Sequence, residues 1–228
     1  MKFFSFLLLI SAFNIFGADE FSCGSIECDD FIVNISNNAD LQSGLSTYMN
    51  YCYGCHSLQY SRYKRVAEDL DIPIDLYIEN LIYDGSKPGE LMKISLSKED
   101  AINWLGAYPP DLTLEARVRK PEWIYTYLRS YYSDASRPYG VNNLVYKNVS
   151  MPHVLEDLQT SLPEEDFDRV ISDLTNFLVY VSDPSARERK QMGVYVLLFL
   201  LLFTSFAFLL YRESIKRNLN NRIFDEFT

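Results

Sequence analysis

With 31 acidic against 21 basic side chains, the 228-residue chain has a net charge of −10, and no Lys/Arg-rich run argues for a nucleic-acid partner. At 48% hydrophobic and 15% aromatic, it suits one or two globular domains together with membrane segments.

In chain order, residues 1–18 read as a secretory leader. Lys2 is a thin positive start, Phe3 to Phe16 supply the apolar stretch, and Gly17-Ala18 offer small residues for cleavage. An uncleaved anchor is disfavoured because Ser11 and Asn14 break an already short stretch. Export places the rest of the chain in an oxidising compartment, so Cys23 and Cys28, in a polar arm over 19–40, are candidates for a local disulfide. From Leu41 a helical period begins. Leu41, Leu45, Tyr48, Met49 and Cys52 share one face, Asn38 or Asp40 can cap its start, and Gly44 permits close approach of another helix.

That helix leads into Cys52-Tyr53-Gly54-Cys55-His56, the Cys-x-x-Cys-His pattern of covalent c-type haem attachment. Two thiols on one helical turn can each add across a haem vinyl group, and the next residue can present an imidazole to the iron. Two rival chemistries use the same residues. A redox dithiol requires a βαβ context, which is missing here. A zinc site completed by Cys23 and Cys28 requires reduced thiols, which export opposes.

Residues 57–100 are mixed, with turns at Asp71-Ile72-Pro73, Asp84-Gly85 and Lys87-Pro88-Gly89; Met92 follows the last of these. Pro109-Pro110 predicts a rigid extended segment. Arg117 and Arg119 are suited to bind haem propionates, though a solvated helix face would also explain them. Pro121, Trp123, Ile124, Tyr127, Leu128 and Tyr131 predict a second amphipathic helix. Residues 133–150 read as a long surface loop that ends in Ser150-Met151-Pro152-His153, where the proline holds the Met151 thioether on extended backbone. Met151 and Met92 are therefore the candidate sixth ligands, and His153, two residues along the extended chain from Met151, is an alternative donor on the same side.

A third helix is expected from Pro163 to Val181, striped by Phe167, Val170, Ile171, Leu174, Leu178 and Val181, and placed to cross the first helix at Gly44. Met192 to Tyr211 run without a charge and are long enough to span a bilayer. Basic residues lie on both sides of that span, so the leader sets the orientation: the exported domain outside and residues 212–228 inside. Without the leader's Lys2 and the +1 of residues 192–228, the exported part, 19–191, carries −12. Such a domain would steer a basic partner by electrostatics.

Taken together, YCYGCHSLQYSRYKRV, GAYPPDLTLEARVR, YTYLRSYYSDASRPYGVNNLVY, NVSMPHVLEDLQ and the terminal span resemble the cytochrome c1 family, in its bacterial form, over most of 29–228. This family is the haem subunit of the quinol–cytochrome c oxidoreductase, the cytochrome bc1 complex. The resemblance implies a mostly α fold: a class I cytochrome c-like haem domain with insertions, spanning 41–185, plus one C-terminal transmembrane helix at 192–211. It implies one covalently bound haem c on Cys52 and Cys55, with His56 and Met151 as the iron ligands. Pro110 packs at the haem and Arg119 contacts a propionate, whereas the role of Arg117 is less defined; Cys23 and Cys28 fall outside the pattern. It further implies an electron relay that is not catalytic alone, from a Rieske iron–sulfur protein to a soluble cytochrome c or equivalent acceptor. Cytochrome b and a dimeric complex would be its partners in the bacterial inner membrane, with the haem domain periplasmic. The rival functions are a membrane-anchored monohaem cytochrome c of another oxidase or reductase, and an exported thiol or zinc protein without haem.

Overall fold

The computed structural model describes residues 22–226, with side chains through Arg217; the leader expected at 1–18 lies outside them. Two units make up the chain, divided between Ser182 and Asp183. The first unit is mostly helical. Its first helix, α1 (Asn38–Thr47), is capped by Asn37 rather than by Asn38 or Asp40, because the Asn37 side chain is the one that accepts from the Ala39 amide. At Tyr48–Cys52 the helix widens into a single π turn, closed by Tyr53 N–H donating to the Tyr48 carbonyl at 2.9 Å. The expected face survives the change of pitch: Leu41, Leu45, Tyr48, Met49 and Cys52 are all buried.

Short elements follow: β1 (Leu58–Arg62), α2 (Tyr63–Asp69), α3 (Ile74–Leu81), β2 (Leu91–Met92), α4 (Lys98–Leu105) and α5 (Glu115–Val118). Strands β1 and β2 pair antiparallel, with Leu58 opposite Met92, and both side chains are completely buried. Helix α6 (Pro121–Arg129) has proline in its first turn, where no amide partner is lost. It ends two residues before Tyr131, which begins a strand instead of completing the helix. That strand, β3 (Tyr131–Ser133), pairs with β4 (Val141–Asn143), so part of the expected surface loop is a hairpin. Its interior is polar. Asn142 and Asn143 are buried, and their side chains hold the chain that follows.

After α7 (Glu156–Ser161), the long helix α8 (Glu164–Ser182) lies across α1. Phe167, Ile171, Leu174, Leu178 and Val181 are buried as the stripe predicts, together with Phe177. At the crossing, a Cβ added to Gly44 would overlap the Asp173 carbonyl oxygen and lie 2.7 Å from the Phe177 Cβ. Only glycine allows this approach. The N-terminal arm is strapped to the same unit: the Asp29 amide donates to Thr126 Oγ1 (2.8 Å), the Asn34 amide donates to Asn176 Oδ1 (2.8 Å), and the Phe31 ring packs on Tyr125.

The second unit is one helix, α9 (Ala186–Glu226), longer than the 192–211 span at its centre. The stretch Ala186–Arg217 is long and apolar enough to cross a membrane, and its apolar side chains are exposed.

Because the Gly44 contact is against backbone, α1 and α8 cannot accommodate a methyl without separating. Gly44→Ala is expected to cost about 1–3 kcal/mol, read as a lower urea midpoint by far-UV circular dichroism. An unchanged midpoint would show that the crossing is not tight.

Candidate haem site

A cavity of about 360 Å³ opens beside the end of the π turn. Cys52, Cys55 and His56 line it from one segment, Pro109 and Pro110 from a second, and Met151 from a third; α8 adds Leu174 and Leu178, and α6 adds Ile124, Tyr127 and Leu128. The lining is mainly apolar and aromatic, as a flat hydrophobic macrocycle requires.

His56 is fixed twice. Its carbonyl accepts from the Tyr48 hydroxyl at 2.6 Å, and its Nδ1 lies 2.7 Å from the Pro110 carbonyl oxygen. A carbonyl can only accept, so Nδ1 carries the proton, and Nε2 presents its lone pair with no hydrogen-bond partner among the described residues. Burial lowers the imidazole pKa and favours the neutral ring that iron binds. The double-proline segment is held against the motif by its own contacts. Leu112 N–H donates to the Ser57 carbonyl (2.9 Å), and Asp111 accepts from the Gln59 amide (2.8 Å).

Cys52 is buried and Cys55 partly so; neither is in a disulfide. Burial pushes the Cys52 thiol up to about 12, which opposes the low-pKa thiolate that a redox dithiol needs. The zinc alternative fails on connectivity, because Cys23 and Cys28 are bonded to each other. Nor do the described residues contain a group of three or more His, Cys, Asp or Glu able to hold a metal ion. A thioether-linked haem fits this donor set: two thiols at an apolar wall, an oriented neutral imidazole and a thioether.

Of the two candidate methionines, Met151 lines the cavity, whereas Met92 is sealed in the β1–β2 core. His153 is not among the lining residues. Its ring stacks on Tyr131 (centroids 4.6 Å apart), and its Nε2 bonds Gln159 Oε1 at 2.6 Å, so the expectation that it stands ready beside Met151 is not met. The backbone turns around His153, where Val154 N–H donates to the Pro152 carbonyl, and the extended geometry behind that expectation is lost. Arg119 lines the cavity while remaining partly exposed. It pairs with Glu115 at 3.3 Å and lies over the Trp123 ring at 5.0 Å. Arg117 is exposed and does not line the cavity.

Sequence reasoning misses the residues around the Met151 sulfur. The Tyr127 hydroxyl donates to Met151 Sδ at 3.5 Å and lies 2.7 Å from the Tyr131 hydroxyl, which in turn donates to the Met151 carbonyl at 3.4 Å. Trp123 stacks on Tyr127, with centroids 4.9 Å apart. Farther back, Asn143 accepts from the Val145 and Tyr146 amides, Asn142 accepts from the Asn148 amide, and Arg137 donates to the Asn148 and Val149 carbonyls. The loop that carries Met151 is thus an internally bonded platform. The paired asparagines were visible as a signal, but they pointed as readily to an exposed turn.

Residues 88–218 match the model of the cytochrome C1 family, a region that includes Pro110, Arg119 and Met151. Cytochrome c1 of Allochromatium vinosum is 42% identical over 208 residues, covering 79% of this chain and 85% of the relative. The chain belongs to the cytochrome c1 family. Its role is that of a membrane-anchored haem electron carrier in the bc1 complex. A mitochondrial cytochrome c1 of Arabidopsis thaliana is 26% identical over 81% of this chain and 71% of its own length. The chain is also similar, at 34% identity over 93% of its length and 97% of the relative's, to a Nitrosomonas europaea protein named ammonia monooxygenase gamma subunit.

If the Met151 thioether ligates the iron, as the family resemblance implies, a hydrogen bond to it withdraws electron density and disfavours ferric iron. Tyr127→Phe is therefore expected to lower the haem reduction potential by ~20–60 mV, on the scale of one hydrogen bond shared unequally between two oxidation states. Potentiometric titration would read this directly, and an unchanged or raised potential would contradict it.

Proposed function

We propose that this member of the cytochrome c1 family carries one haem c, bound covalently through Cys52 and Cys55, with His56 and Met151 as its iron ligands. The convergence of an oriented neutral imidazole and a thioether on the same apolar cavity, next to two unpaired thiols, supports this reading above all. Once bound, the haem supplies a one-electron couple, and His–Met ligation sets it at the higher-potential end of the range for such centres. The chain's residues hold and insulate that couple. The lining of Leu174, Leu178, Ile124, Leu128 and Val149 excludes water, Pro110 packs against the group while orienting His56, and Arg119 offers its guanidinium to a propionate. No side chain needs to move a proton.

On this reading the chain accepts single electrons from a Rieske iron–sulfur protein and passes them to a soluble cytochrome c or an equivalent acceptor. It works inside a dimeric complex with cytochrome b and is not catalytic alone. After removal of leader 1–18, the arm at 19–40 and the haem domain at 41–185 stand on the periplasmic side of a bacterial inner membrane. The span 192–211 anchors them, and 212–228 form the cytoplasmic tail. The −12 carried by residues 19–191 supports a basic electron acceptor. A second reading, service to a different membrane enzyme, is favoured by one observation: the similarity along nearly its whole length to the Nitrosomonas protein named as an oxygenase subunit.

Purification from native membranes separates these readings. A haem-stained band of this chain should survive denaturation, should vanish in Cys52→Ser/Cys55→Ser, and should co-purify with a cytochrome b and a Rieske protein. A stained band in the double variant would refute covalent attachment through these thiols. Co-purification with a different enzyme and neither bc1 partner would favour the second reading.

A further inference from the structure

Besides Tyr131 of β3, which bonds its carbonyl, two elements hold Met151: α6, through Tyr127, and the loop from Leu144 to Pro152. The arm segment 23–29 touches both. On the loop side, Ser25 Oγ donates to the Leu144 carbonyl at 2.9 Å. Gly24 has a left-handed φ of +70° and packs so closely on Val145 that an added Cβ would overlap the Val145 carbonyl oxygen. The next residue, Tyr146, lines the cavity. On the helix side, the Asp29 amide donates to Thr126 Oγ1 (2.8 Å), and its carboxylate accepts from the Arg129 guanidinium (2.7 Å); these two residues flank Tyr127 in sequence. Cys23 and Cys28 close a disulfide ring around Gly24 and Ser25, with Asp29 the next residue outside it, and Cys23 is almost wholly buried.

A short segment containing glycine would sample many conformations if open, and ring closure removes most of them. We propose that this disulfide-closed loop is a clasp that holds the Met151 loop against α6. Cys23, Cys28, Gly24 and Ser25 are then positioning residues for the sixth iron ligand. Their effect on iron runs through the backbone of residues 144–145 with the platform beyond it and, by way of the adjoining Asp29, through α6 beside Tyr127. The proposal rests on Met151 being that ligand.

The test uses the full-length, haem-loaded protein. Cys23→Ser/Cys28→Ser should keep the far-UV circular dichroism of the parent, weaken the methionine–iron charge-transfer absorption of the ferric form, and increase carbon monoxide binding to the ferrous form at least about tenfold, as expected for releasing so short a ring. Ser25→Ala and Gly24→Ala keep the disulfide; the first removes only the bond to the Leu144 carbonyl, and the second adds backbone strain at its left-handed φ to the clash with Val145. They should shift both signals in the same direction, and they carry the test alone if the double variant does not fold. Unchanged absorption and carbon monoxide binding across the folded variants would overturn the clasp. Met151→Leu separates the two levels. If it keeps the charge-transfer absorption, the ligand assignment fails and the clasp with it; if it loses the absorption while the clasp variants stay unchanged, the clasp alone fails.

Discussion

The site depends on the hydrogen bond between His56 Nδ1 and the Pro110 carbonyl. It decides the tautomer, and with it which nitrogen can face iron. It also explains why two prolines stand at 109–110. A rigid segment without amide donors presents its carbonyl to the ring and cannot be drawn into a ladder elsewhere. Every neighbouring contact keeps this pair in register: Leu112 to Ser57, Asp111 to Gln59, and the Tyr48 hydroxyl to the His56 carbonyl. Tyr48 in turn belongs to the π turn of α1, which packs on α8 because Gly44 lets the two backbones meet. The position of an imidazole is thus traceable to a missing methyl group three turns away.

The sulfur side is built differently. His56 is held by the end of a buried helix, whereas Met151 hangs from a segment with little regular structure. Polar side chains do the work of a ladder there: Asn142, Asn143 and Arg137 satisfy the loop's backbone groups, and Tyr127 and Tyr131 bond the methionine itself. Such a platform is stiff only while each partner is in place, since a buried amide or carbonyl left unpaired is costly. On the proposed His56–Met151 ligation, the sulfur side is the natural place for it to weaken.

The same contrast explains what could be read in advance. Periodic apolar spacing reports burial directly, so the faces of α1 and α8, their crossing at Gly44 and the terminal span were all legible. The Cys-x-x-Cys-His spacing is set by covalent chemistry and needs no tertiary information. Residues 133–150 were read as a surface loop because Asn, Asp, Gly and Pro mark turns. Sequence does not show that Asn143 is turned inward with its amide spent on Tyr127, Val145 and Tyr146. Tyr127 and Tyr131 were hidden for the opposite reason. At helical spacing, aromatic rings look like core, and their hydroxyls acquire a role only when the chain turns after Arg129 and brings Met151 back to them. The polar composition of the arm does not show that the Asp29 carboxylate bonds α6, or that the Asn34 backbone amide bonds α8. His153 shows the limit of extended-chain geometry, which fails where the backbone turns around His153 itself.

The central claim is that His56 and Met151 bind one iron from the two sides of this construction. Iron K-edge X-ray absorption on the purified ferric protein tests it at the bond itself. The account predicts a single sulfur scatterer beside the nitrogen shell, lost in Met151→Leu and kept in Met92→Leu. A sulfur scatterer that survives Met151→Leu, or disappears in Met92→Leu, would contradict it.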